Sequence, residues 1–147
     1  MKKWLQKRLK NEKGLTLVEL LAVIVILGII AAIAVPSIGG IIDNTKIKAV
    51  HSDAQNIISA ASLYYIDNPE IKTEVTLETL LTEKYISDAG SFEANKASVK
   101  VSNDRKFTST AVTPVTGVSV TYTAATSKDI TNAGTKKKEN GTVVISR

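Results

Sequence analysis

From Leu20 to Val35 the chain reads LLAVIVILGIIAAIAV, sixteen residues without a polar side chain. Extending the stretch back to Leu15 adds only Thr16 and Glu19 as polar positions. At about 1.5 Å per residue the extended stretch forms a helix about 31 Å long, close to the roughly 30 Å of a bilayer's hydrocarbon core. The segment is predicted to span a membrane. Beyond it the apolar positions become periodic: Ile47, Val50, Ala54, Ile57, Ile58, Ala61, Tyr64 and Tyr65 recur at three- and four-residue steps, with Asp43, Lys46, Lys48, Asp53, Gln55 and Asn56 between them. That is the stripe of an amphipathic helix. Proline restricts its predecessor to extended backbone, so the helix is expected to stop near Asn68-Pro69. The two patterns together predict one helix of about 50 residues, apolar all round in its first half and one-sided in its second.

Thr76 is placed to cap a second, short helix whose buried side carries Leu77, Leu80 and Leu81, with Thr79 standing where a capping box prefers Glu or Gln. After Asp88-Ala89-Gly90 the period drops to two. Val99 and Val101 alternate with Ser98, Lys100 and Ser102, and Val118, Val120 and Tyr122 alternate with Ser119, Thr121 and Thr123. With Phe107 to Val112 and Thr142 to Ser146, these make about four short strands of a small antiparallel sheet with one wet face. A sheet of that size needs an apolar partner, and the amphipathic half-helix is the one available. The expected class is α+β: a long N-terminal helix packed on a short helix and a small sheet. At 147 residues the chain has room for one modest domain beside a membrane segment.

The net charge of +5 suggests an anionic partner until its distribution is read. Residues 1 to 14 hold six Lys/Arg against one acid, which accounts for all of it, and the remainder holds 13 basic and 13 acidic residues. The basic flank keeps residues 1 to 14 in the cytoplasm and sends the rest outward. With no cysteine there is no disulfide framework and no thiolate chemistry, so packing and hydrogen bonds hold any exported domain together.

Lys13-Gly14-Leu15-Thr16-Leu17-Val18-Glu19 ahead of the apolar run, with Pro36 at its end, resembles the class III signal of type IV pilins and related pseudopilins. Leu15 stands where that family usually has phenylalanine. The resemblance implies cleavage between Gly14 and Leu15 by a membrane aspartic peptidase that also methylates the Leu15 amine, so that residues 1–14 are a cytoplasmic leader, 15–36 a transmembrane and filament-core helix, and 37–147 the remaining half-helix and head. Glycine at the cut suits close backbone approach by a peptidase. It further implies polymerisation with other copies, leaving membrane lipid for a filament at the cell surface with the help of an assembly motor and platform proteins.

Glu19 needs a reason to lie in an apolar span, where a charge costs about 2.5 to 3.5 kcal/mol at mid-membrane. Cleavage after Gly14 supplies a new α-amino cation four residues away, within helical pairing reach in the same subunit. The resemblance implies instead that Glu19 meets the N-terminus of a neighbouring subunit, with Thr16 part of the same assembly site. The plainer reading is an acid that snorkels to the cytoplasmic interface. Pro36 costs a helix interior about 3 kcal/mol and Gly28 about 1 kcal/mol, so the section between them is expected to kink in a bilayer. The resemblance implies that it unwinds in a filament. The alternative is a proline that marks the membrane exit.

A rival processing site, Ala32-Ile33-Ala34, has the small-x-small form of an ordinary secretory signal and would release a protein starting at Val35. Glu19 within the apolar stretch, Pro36 after the cut and the continuing helical pattern oppose it. Lys136, Lys137 and Lys138 are candidate contacts for DNA phosphates, with a solvated loop as the plainer reading. Asn140-Gly141-Thr142 reads as a tight turn rather than a glycosylation site. Asp129, Asn132 and Gly134 are too sparse for a calcium loop, and neither a metal nor a cofactor is expected. His51 reads as a surface or partly buried residue, and Tyr64 and Tyr65 as core packed on the sheet. No His pair, activated serine or glycine-rich phosphate loop supports an enzyme.

The function expected is therefore structural. The competence members of the family are usually shorter and often carry cysteine, which favours a pilin. A competence or type II secretion pseudopilin is the alternative, and a signal-anchored surface binding domain is the reading outside the family.

Overall fold

A computed structural model describes residues 16–134 and 142–146. Gly14, Leu15, Lys136, Lys137, Lys138, Asn140 and Gly141 lie outside the described residues. The chain divides into two compact units, Met1–Gly40 and Ile41–Arg147, and helix α1, Leu17–Asp67, contributes to both. In the first unit the large apolar side chains from Leu17 to Ile38 are all exposed. Among the described residues α1 is the one helix long and apolar enough to cross a membrane.

In the second unit, the head, α1 buries Ile47, Val50, His51, Ala54, Ile57, Ile58, Ala60, Ala61, Tyr64 and Tyr65. The stripe read from the sequence is the buried one, and each fully buried Val or Ile contributes about 1.5 to 3 kcal/mol. The helix ends at Asp67, where the backbone and side-chain N–H groups of Asn68 both donate to the Tyr64 carbonyl at 3.0 Å, just before Pro69. Strand β1 (Val75–Thr76) leads into α2 (Leu77–Thr82). Thr76 caps α2, accepting from the Thr79 N–H at 3.2 Å, and the two threonine hydroxyls lie 2.9 Å apart. A 3-10 turn, Gly90–Asn95, seats Phe92 in the core. Asp53 of α1 holds its start, accepting from the Ser91 N–H at 2.8 Å and hydroxyl at 2.6 Å. A Cβ at Gly90, where φ is +54°, would lie 2.6 Å from that carboxylate, so both backbone and space call for glycine.

The sheet adds β2 (Lys100–Val101), β3 (Phe107–Val115), β4 (Val118–Ala125) and β5 (Thr142–Ser146), in the order β1-β2-β3-β4-β5. Phe107 and Tyr122 meet Phe92 in an aromatic cluster with ring centroids 5.1 to 6.0 Å apart, in the edge and tilted arrangements such rings prefer. Three pairings are antiparallel, but β4 and β5 run parallel. The sheet thus differs from the expected four antiparallel strands in two ways. β1 is only two residues, too short to show a period. Parallel neighbours need a crossover, and helix α3 (Ser127–Ala133) follows β4 in the connection to β5. No two-residue hairpin therefore joins β5 to β4.

Tyr65 and His51 tie α1 to the sheet. The Tyr65 hydroxyl lies 2.7 Å and 2.8 Å from the Thr73 and Val101 carbonyls, and accepts from the Val75 N–H at 3.1 Å. His51 is buried, against expectation. Its Nε2 lies 2.9 Å from the Gly134 carbonyl, and its Nδ1 2.6 Å from the Tyr122 hydroxyl. A carbonyl can only accept, so the ring proton sits on Nε2, and Nδ1 accepts from Tyr122. Burial pushes the imidazole below its ordinary pKa, against the opposing pull of the Gly134 carbonyl. Burial, with Asp53 nearby, pushes the Tyr122 phenol up, so Tyr122 stays protonated and able to donate.

Tyr65→Phe keeps the ring but strands the Val75 N–H, and is expected to lower the stability of the full chain in detergent micelles by about 2 kcal/mol. The shift in the urea midpoint measures it. His51 gives a second expectation. The unfolded imidazole binds a proton near pH 6.5, about its ordinary value, while the folded one resists it until lower pH. Its contribution is therefore complete above that value and is lost as pH falls towards the folded pKa. The melting temperature followed by tyrosine near-UV circular dichroism should drop between pH 7 and pH 5, and His51→Gln should flatten that drop.

Candidate functional site

The first N–H groups of any α-helix lack partners within it, and in hydrocarbon there is no water to supply them. At the start of α1 Thr16 and Glu19 meet that need together. The Thr16 hydroxyl accepts from the Glu19 N–H at 3.2 Å, while Glu19 Oε2 accepts from the Thr16 N–H at 2.8 Å and the Thr16 hydroxyl at 3.0 Å. This reciprocal capping box also sets an acid in the first helical turn, where the peptide dipoles favour negative charge. The charge of Glu19 alone does not disclose it, but the Thr-x-x-Glu spacing ahead of an apolar run does.

The cap does not exhaust the carboxylate. An ionised carboxyl group accepts through both oxygens, and both bonds from Thr16 fall on Oε2. Oε1 has no hydrogen-bond partner among the described residues. The site can therefore take a further donor or cation without undoing the helix start.

Gly28 and Pro36 lie within α1, which is helical through both. Pro36 offers no N–H to the Ala32 carbonyl. An added Cβ at Gly28 would meet nothing within 4 Å, and the same holds at Gly39 and Gly40. Weak helix formers thus continue past Pro36 to Gly40. Asp129 closes a capping box with Thr126 at the start of α3, accepting from the Thr126 N–H at 2.8 Å and hydroxyl at 2.6 Å. The Gly134 carbonyl is taken by His51. Among the described residues no group of three His, Asp or Glu is placed to hold a metal ion. Tyr64 and Tyr65 pack in the core as expected, edge to face at 5.6 Å.

A protein family described as the prokaryotic N-terminal methylation motif matches residues 9–35. Type II secretion system core protein G of Klebsiella michiganensis is 38% identical over 77 residues, which are 52% of this chain and 54% of that protein. The Pseudomonas aeruginosa protein of the same name is 37% identical over 59 residues, 40% and 42% of the two chains. A fimbrial protein of Pseudomonas aeruginosa is 34% identical over 68 residues, 46% and 44% of the two. The chain thus spans about half the length, or less, of these curated relatives. No solved structure matches it. The methylation motif thus covers the start of a capped apolar helix, and over about half of its length or less the chain is similar to both secretion and fimbrial proteins.

Proposed function

We propose that the chain is a structural subunit of a type IV pilus-like filament. It is made as a single-pass membrane precursor with residues 1–14 inside, cut between Gly14 and Leu15 and methylated on the Leu15 amine by a prepilin peptidase and methyltransferase. It then polymerises through residues 15–36, carrying residues 37–147 to the cell surface. The observation that carries this reading is the Thr16–Glu19 cap at the start of a helix whose large apolar side chains from Leu17 to Ile38 are all exposed. Such a helix needs an apolar surrounding at every stage, first lipid and then the same helix of other copies. Exchanging lipid for protein gives little hydrophobic gain. Assembly therefore calls for an external motor and platform, and for a device that sets register. Glu19 is that device, with Oε1 receiving the α-amino cation of a neighbouring subunit.

A pseudopilus subunit of a type II secretion system is the second reading, favoured by the core protein G relatives. Both readings use the same helix and differ in whether the filament emerges from the cell.

Mass spectrometry of the mature chain should find a methylated Leu15 at the N-terminus; an unmodified Val35 would end the proposal, and an intact Met1 would favour a membrane-anchored domain. Glu19→Ala should leave the precursor in the membrane fraction and remove it from sheared surface filaments. Normal filaments from that variant would take Glu19 out of the mechanism. Thr16→Ala removes a cap of about 1 kcal/mol and should lower filament yield several-fold, with Thr16→Ser restoring it.

A further inference from the structure

Between Ile42 and Ile66 helix α1 carries a second pattern besides the stripe that covers the sheet. One set of positions seven residues apart holds Ile42, Ala49, Asn56 and Leu63, and a set three residues on holds Thr45, Ser52, Ser59 and Ile66. All of them are exposed, and none is charged. Their alternating steps of three and four make the heptad seam along which two helices interlock. A helix face turned to water usually collects the charges of its helix. Here Asp43, Lys46, Lys48 and Asp53 all fall off the seam, while Leu63 and Ile66 stay 55% and 68% exposed on it.

The polar members of the seam are fitted for burial. The hydroxyls of Thr45, Ser52 and Ser59 donate back to the carbonyls of Ile41, Lys48 and Gln55 at 2.9, 3.1 and 2.9 Å. A hydroxyl whose proton is already placed can leave water without stranding a donor. Asn56 sits at the inner position of its heptad, where a single asparagine pairs with its copy and fixes register. The flanks agree with that register. In a parallel pair Lys48 of each copy lies beside Asp53 of the other, the arrangement by which flanking charges choose a partner. Asp53 holds Ser91 through Oδ2 alone, and its Oδ1 has no hydrogen-bond partner among the described residues.

We propose that residues 42–66 of α1 pair in parallel and in register with the same residues of a second copy while both chains are anchored in the membrane. The two-fold axis of this isologous contact runs along the helices, so both copies keep one orientation in the bilayer and each sheet lies on the far side of its helix. The proposal rests on the membrane-precursor step of the proposed function and concerns the stage before polymerisation. Successive copies in a filament are displaced along its axis, so the dimer parts as its chains enter one through residues 15–36.

The chain has no cysteine, so introduced thiols read the contact in the full chain in isolated membranes. Helix axes about 10 Å apart leave facing Cα atoms about 5 to 6 Å from each other, within the span of a disulfide. Under mild oxidation Ser52→Cys and Ser59→Cys should each give about tenfold more disulfide dimer than Thr110→Cys, an exposed position on β3, because pairing raises the local thiol concentration. Chains carrying Ser52→Cys should link poorly to co-expressed chains carrying Ser59→Cys, since one heptad sets those thiols about 10 Å apart along the helix. Lys48→Glu sets like charges beside Asp53 and should lower the Ser59→Cys dimer several-fold, with the tyrosine near-UV circular dichroism unchanged. In chains that also carry Glu19→Ala the dimer should persist whether or not that variant enters filaments, which separates this contact from the filament reading. Dimer from Ser52→Cys and Ser59→Cys no greater than from Thr110→Cys overturns the proposal. So does a mixed link as strong as the self-links, a yield that Lys48→Glu leaves unchanged, loss of dimer with Glu19→Ala, or a Ser59→Cys adduct with a different protein.

Discussion

A sheet in which two of five strands have two residues each cannot hold itself together, and the head depends on the stripe of α1 from Ile47 to Tyr65 that covers it. The stripe supplies the apolar surface that the inner faces of β3, β4 and β5 need, and it brings specific polar anchors with it. Asp53 starts the 3-10 turn, His51 reaches β4 and the end of α3, and Tyr65 reaches the segment that enters β1 and the carbonyl of β2. Without cysteine these contacts carry the load that disulfides bear in many small exported domains.

The same helix meets a different demand at its other end. Before Gly40 its apolar residues face outward on every side, so no single partner surface satisfies them, and its start must hold its own N–H groups. Thr16 and Glu19 do this with two side chains. The acid that looks misplaced by hydropathy is therefore a structural part of the helix, and its second oxygen remains for other work. One carboxylate oxygen makes the cap, and the other has no hydrogen-bond partner among the described residues.

Much of this was legible in the chain's patterning. The change from a continuous apolar run to a stripe of three- and four-residue steps marked the two halves of α1, Pro69 marked its end, and the alternating valines marked β2 and β4. The misses have physical causes. β1 is stabilised by its neighbours rather than by a period of its own, which two residues cannot show. The parallel placement of β5 depends on a crossover that no local pattern reveals. Burial of His51 rests on a tyrosine and a glycine carbonyl distant in sequence, so its type and spacing alone suggested a surface position. At the site, Glu19 stood out by its charge, while its partnership with Thr16 lay in a spacing that charge conceals. The proposed cleavage junction, Gly14 and Leu15, lies outside the described residues and rests on sequence.

The crossover into β5 has a consequence for the order in which the molecule is made. His51 on α1 bonds to Tyr122 and Gly134, 71 and 83 residues further along, and β5 follows both in the chain. Contacts so distant in sequence form slowly and only after the intervening chain exists. The apolar half of α1, by contrast, is ready for lipid as soon as it leaves the ribosome. During synthesis the apolar half of α1 is thus complete while the amphipathic half still lacks its sheet, with its stripe bare. The head's core closes only when β5 joins β4.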